Sequence, residues 1–124
     1  MKKKPPRDSP RPFNTRAIGT RAERRALRHY RLRGYRALAT NLWVGGYELD
    51  LVLRRGRRIL VVEVKEKAGD AFGHPLEMVD DEKARRVLTA AAVWMAAHPE
   101  LHGLELAFEA AGVRGRQVER VPLT

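Results

Sequence analysis

From Thr20 onward the chain changes its hydrophobic period twice. Glu23, Ala26, Leu27 and Tyr30 recur three and four residues apart, the spacing of one helix face, while most arginines of the segment fall elsewhere. Thr20 stands where an N-cap would, Glu23 follows three residues later as in a capping box, and Gly34 offers a stop. A helix is therefore predicted over 20–33. The period then shortens to two, with strands predicted at 35–40, 47–53 and 58–65, the last two joined through Arg54-Arg55-Gly56-Arg57 as a tight hairpin.

Residues 66–75 break the pattern with Gly69, Asp70, Gly73 and Pro75 and read as a loop. A second helix is predicted over 76–97, with Val87, Leu88, Ala91, Trp94 and Met95 as its apolar stripe and Pro99 marking its end. Two short strands follow at 104–110 and 117–121, separated by Gly112 and Gly115. A strand that leaves through a helix and returns commonly lies parallel to its neighbour, so the order implies an α/β fold, a mixed central sheet flanked by helices.

Composition adds a boundary. Residues 1–15 hold Pro5, Pro6, Pro10 and Pro12 among lysines and arginines, which predicts a flexible basic arm ahead of a single domain over 16–124. A length of 124 residues suits one compact domain. No apolar run approaches the roughly 18 residues that cross a bilayer, and the basic start has no apolar segment of the secretory type; the expectation is a cytoplasmic protein with no membrane partner.

The formal net charge is +10, and residues 1–16 carry a balance of +5, so half of the excess belongs to the body of the domain. A basic excess of this size favours a polyanionic partner, although an Arg-rich composition also serves solubility alone. Cysteine is absent, which excludes disulfides, thiolate ligands and a cysteine nucleophile. Any metal must be held by oxygen or imidazole.

The chemistry concentrates on the central hairpin. Folding at Gly56 sets Asp50 beside Glu63; Glu48 and Asp50 are predicted to point one way and Leu49, Leu51 and Leu53 the other, with Glu63 and Lys65 sharing one side of the next strand. Two carboxylates and an ammonium then meet on an otherwise apolar strand pair, where charge is costly without partners. Magnesium or manganese ions prefer such oxygen donors, supplemented by water and phosphate. Lys65 would orient a water or meet charge on phosphate, and Glu23 would add a carboxylate or simply cap its helix. The alternative is a plain salt bridge from Lys65 to Glu63 or Asp50.

Asp50 followed by Glu63-Val64-Lys65 resembles the signature of the PD-(D/E)XK nuclease superfamily. A longer set extends the likeness: Gly19 with Glu23, Arg33-Gly34-Tyr35, Asn41, Glu48-Leu49-Asp50-Leu51, Val62-Glu63-Val64-Lys65, Phe72-Gly73-His74-Pro75, Glu77, Val79 and Lys83. In that order they resemble the YraN-like family of bacterial proteins, over roughly residues 17–110. The resemblance implies a restriction-endonuclease-like core and magnesium-assisted phosphodiester hydrolysis. By position, Asp50 and Glu63 would ligate metal, Lys65 would assist the water and Glu23 would be an auxiliary acid. The chain departs from the family pattern at Tyr47, Glu66 and Ala107-Phe108-Glu109.

Among the histidines, His29, His74, His98 and His102 show no zinc spacing and read as surface or loop residues, with His74 a candidate for substrate contact. Arg24, Arg25, Arg28 and Arg31 give the first helix a basic face for phosphates or simply a solvated surface, and Lys83 reads as a further helix-surface cation near phosphate or as a plain solvated lysine. Trp43 and Tyr47 suit either base stacking or packing. Three classes follow: a metal-dependent nuclease acting on branched or structured DNA, a noncatalytic nucleic-acid-binding protein on the same fold, and a partner-binding protein, with a homodimer open in each case.

Overall fold

The computed structural model describes residues 20–67 and 80–124; the basic arm and the loop carrying His74 lie outside them. Helix α1 (Arg21–Arg31) starts in the predicted capping box. The Glu23 amide donates to the Thr20 hydroxyl at 3.0 Å and the Thr20 amide to the Glu23 carboxylate at 3.3 Å. The helix closes at Leu32, slightly before the predicted end.

Five strands follow: β1 (Arg36–Val44), β2 (Tyr47–Arg55), β3 (Arg58–Glu66), β4 (Glu105–Arg114) and β5 (Gln117–Pro122). They form one sheet in the order β1-β2-β3-β4-β5, antiparallel throughout except for the parallel pair β3–β4. That pair is connected through helix α2 (Asp81–Ala96) and a 3-10 turn at Pro99–Leu101, so the mixed α/β sheet takes the form its element order implies.

The helices cover opposite faces. Ile59 and Val61 of β3 join Val87, Ala90, Ala91 and Trp94 of α2 in one core, while Leu60 and Val62 join Ala26, Leu27 and Tyr30 of α1 in the other. This two-residue alternation makes β3 the shared wall of both cores and explains its nearly unbroken apolar run.

Several expectations are corrected. Strand β1 runs to Val44 rather than stopping near Thr40, because Gly45 and Gly46, with φ of 59° and 86°, close a two-residue hairpin to Tyr47. A turn with both central residues at positive φ matches the twist of the flanking strands. A Cβ on Gly45 would also lie 2.9 Å from that of Ala90, so the turn packs against α2.

Leu49 and Leu51 do not share a face: Leu49 packs in the α2 core and Leu51 in the α1 core. The alternation breaks at Asp50 and at its neighbour Asn41, which holds φ of 51° within β1. Gly112 is not a separator but lies inside β4, opposite Lys65 and Glu119. The helix predicted from position 76 begins at Asp81, where the Asp80 carboxylate accepts the Lys83 amide at 2.8 Å. His98 is not a surface residue but is buried, its Nδ1 2.7 Å from the Trp94 carbonyl.

Candidate active site

The β2–β3 ladder ends at Leu51 opposite Val62. One step further the Asp50 carboxylate accepts the Val64 N–H at 2.8 Å, so a side chain takes the place of a ladder bond. Strand β3 continues to Glu66, supported by β4 alone. The parting of β2 from β3 therefore presents Asp50, Glu63 and Lys65 where the sheet has lost one neighbour.

Asp50 is electrostatically strained. Burial raises its proton affinity most; the Val64 N–H opposes that, and the carboxylates of Glu23, Glu63 and Glu48 raise it again, bringing it from 3.8 to about 7. Glu23 is buried near the start of α1, and besides its capping bond it accepts the Asn41 amide on both oxygens, each at 3.2 Å. Asn41 thus spends an unfavourable left-handed conformation on aiming its amide at an acid.

Glu63 turns to the α2 side, where Lys83 Nζ lies 3.1 Å from its Oε2. This changes the reading of both lysines. Lys83 is not a free surface cation but the partner of Glu63. Lys65 is exposed and makes no ion pair or hydrogen bond among the described residues, contrary to a salt bridge from Lys65 to Glu63 or Asp50. The strand alternation sets Lys65 on the side of Glu63.

Glu23, Asp50 and Glu63 are thus drawn into one electrostatic group, with Lys65 beside it. Arg24, Arg28 and Arg31 lie exposed along α1. Sequence reasoning assigned no role to Asn41 and did not foresee the Lys83–Glu63 pair. An Asn inside a β-branched and apolar stretch was the available signal for the first, since Asn tolerates left-handed backbone. The second depends on where α2 docks and has no local signal.

No three His, Asp or Glu side chains among the described residues are arranged to hold a metal by themselves. The donor set at hand is the pair of carboxylates Asp50 and Glu63, which would leave most of a metal's shell to water and substrate oxygens. That incomplete oxygen set fits magnesium, which keeps several waters and shares its shell with phosphate. Burial first, and the nearby carboxylates of Glu23, Glu63 and Glu48 after it, make an ionised Asp50 costly, a cost that a bound cation would offset.

The same shift has a measurable consequence. A carboxyl that binds its proton more tightly folded than unfolded favours folding while protonated, and this is lost as the pH rises from about 4 to about 7. Without divalent metal, wild type is expected to lose a few kcal/mol of stability across that window relative to Asp50→Asn. Urea melts of both proteins at a series of pH values measure it. Parallel curves would show that Asp50 is ionised in the fold without cost.

Residues 22–115 match the uncharacterised protein family UPF0102. A UPF0102 protein of Clavibacter michiganensis subsp. michiganensis is 40% identical over 86 residues, 69% of this chain and 73% of the relative. One from Methylorubrum extorquens is 40% identical over 106 residues, covering 86% and 81%, and one from Serratia proteamaculans 38% over 112 residues, covering 89% and 95%.

Proposed function

Because this chain belongs to the uncharacterised protein family UPF0102, whose name carries no activity, we propose its function from the site: a magnesium- or manganese-dependent phosphodiester hydrolase with a restriction-endonuclease-like core, acting on DNA in the cytoplasm. The observation that carries this reading is Asp50. Its carboxylate fills the gap where β2 leaves β3, faces the charges of Glu23, Glu48 and Glu63, and has proton affinity raised to about 7. A structural acid at that cost would be expected to have a cationic partner, and among the described residues Asp50 has a backbone amide instead.

Asp50 and Glu63 would hold the metal, which when bound supplies positive charge and Lewis acidity toward phosphate oxygens. The other residues act around it. Glu23, fixed by Asn41 and by its own helix cap, keeps a third acid at the site for handling a proton from water. Lys65, with no acid to neutralise it among the described residues, meets charge growing on the phosphate and orients the attacking water. Lys83 restrains Glu63. In the reaction a water oxygen bonds to phosphorus, one phosphorus–oxygen ester bond breaks, and the leaving oxygen takes up a proton.

Calorimetric titration of magnesium and manganese into wild type and into the Asp50→Ala, Glu63→Ala double variant tests the reading, followed by incubation with duplex, single-stranded and four-way-junction DNA. Metal uptake and cleavage are expected in wild type and are expected to vanish together in the variant. The Lys83–Glu63 ion pair favours a second reading, a noncatalytic nucleic-acid-binding protein in which Lys83 serves in place of a metal. DNA binding by wild type without metal uptake or cleavage of any substrate would select it.

A further inference from the structure

A cleft of about 560 Å³ lies between the C-terminal half of α1 and the β4–β5 turn, lined by Arg25, Arg28, His29, Leu32, Arg33 and Arg116 among others. No carboxylate lines it, and among the described residues none of its four arginines pairs with an acid. Arg33 donates to the His29 carbonyl at 2.9 Å, which fixes its guanidinium at the rim. Burial, and then the charges of Arg33 and Arg120, push His29 below its ordinary value, and its Nε2 is buried with no hydrogen-bond partner among the described residues.

An ordinary solvated helix face mixes signs. Helix α1 carries five arginines and one acid, and that acid, Glu23, is turned inward to the acidic site. Gathering guanidinium groups of one sign into a concavity costs repulsion, which an anion with several oxygens relieves through paired hydrogen bonds. We propose that this cleft is a binding site for the backbone phosphates of a nucleic acid, engaging Arg25, Arg28, Arg33 and Arg116 beside the acidic site. The identity of the polymer rests on the phosphodiester reading; the cleft itself does not depend on Asp50 or metal.

The geometry links the two sites through one helix. Glu23 lies five residues before Arg28 and nine before Leu32, a rise of roughly 8 to 14 Å along α1, or about two to four base steps of B-DNA. A strand whose reacting phosphate sits at Asp50 would thus reach the cleft with phosphates on one side of it. An anionic lipid surface fits less well. The apolar face of α1 is buried in the core, and Leu32 is the exposed large apolar residue at the cleft, whereas a surface-bound helix needs a continuous free apolar face.

Fluorescence anisotropy with a labelled DNA duplex, in EDTA and over a series of salt concentrations, tests the cleft in the full chain. The Arg28→Glu, Arg116→Glu variant is compared with Arg85→Glu, Arg86→Glu, which makes the same charge change on α2. The cleft variant is expected to bind at least about tenfold more weakly, with a salt slope reduced by about 2, and the α2 variant to stay within about threefold of wild type. Arg28→Gln, Arg116→Gln serves the same purpose should the reversal unfold the protein. Equal losses in both variants, or wild-type binding by the cleft variant, would overturn the proposal. So would loss of binding to phosphatidylglycerol vesicles with DNA binding unchanged. Cleft-dependent binding without cleavage under any metal would sink the hydrolase and leave the cleft standing; Asp50-dependent cleavage with a dispensable cleft would do the reverse.

Discussion

Lys65→Ala is expected to slow metal-dependent DNA cleavage by about 10²–10³-fold, while metal uptake changes by less than about twofold. The expectation follows from a division of labour between the lysines. Lys83 is committed to Glu63 at 3.1 Å, whereas Lys65, two residues beyond Glu63 on the same strand, is exposed and uncommitted among the described residues. Its charge is therefore available to the phosphate, where negative charge grows toward the transition state. Removing one such stabilising group costs about 2.7–4 kcal/mol in enzymes that depend on it. Because the exposed Lys65 side chain makes no hydrogen bond or ion pair among the described residues, folding stability is expected to stay within about 0.5 kcal/mol of wild type, and Lys65→Arg is expected to keep part of the rate. Single-turnover cleavage with saturating magnesium makes the measurement. Undiminished turnover in Lys65→Ala would remove this residue from the mechanism and move the search to Lys83.

That division of labour was only half legible in the sequence, and the legible half has a physical signature. The capping box at Thr20 and Glu23 is local, three residues wide, so it reads directly from the chain. The approach of Asp50 to Glu63 follows from a two-residue turn at Gly56 and Arg57, because a tight hairpin fixes register for the strands that leave it. The parallel return of β4 follows from the helical connection.

What was not legible depends on departures from regular period. A strict alternation assigns Leu49 and Leu51 to one face, but Asn41 and Asp50 interrupt both strands at the same level and send these leucines into different cores. The irregularity coincides with the acidic site. Asp50 bonds to Val64 and Asn41 to Glu23 at the point where the sheet gives up its repeat, as expected where local rules yield to a site. Gly112 misled for the opposite reason: a glycine suggests a break, yet here it is held between β3 and β5 by ladders on both sides. Lys83 and Glu63 are 20 residues apart and meet through α2 docking, which no short-range pattern encodes.

Glu109→Ala is expected to destabilise the fold by about 3–5 kcal/mol, the second large effect, at a β4 position that meets Tyr30 of α1. Glu109 is almost fully buried in β4. Arg120 of β5 grips it with two bonds, at 2.9 and 3.0 Å, and the Tyr30 hydroxyl donates to it at 3.0 Å. Arg58 adds a longer contact at 3.8 Å. Burial pushes the Glu109 carboxyl up, but the bonds from Arg120 and Tyr30 and the charges of Arg120 and Arg58 outweigh it, so it titrates below its ordinary value. The Arg120 guanidinium also lies 4.7 Å from the Tyr30 ring centroid, tying β5 to α1.

Deleting the carboxylate strands a partly buried guanidinium, whose pKa Glu109 holds above its ordinary value, together with a buried hydroxyl. Arg120 cannot relieve the loss by giving up its proton, so the penalty falls on folding. Glu109→Gln keeps an acceptor and the side-chain volume and is expected to lose less, which separates charge pairing from packing. The sign with pH is also fixed. The contribution of a carboxylate held below its ordinary value is complete above that value and declines as the pH falls through the folded-state titration. Wild type and Glu109→Ala should therefore converge in acid and diverge toward neutrality. Urea midpoints at several pH values decide it: a loss below about 1 kcal/mol near neutrality would mean that water or rearranged side chains replace Glu109, and that β5 is held by its ladder to β4 alone.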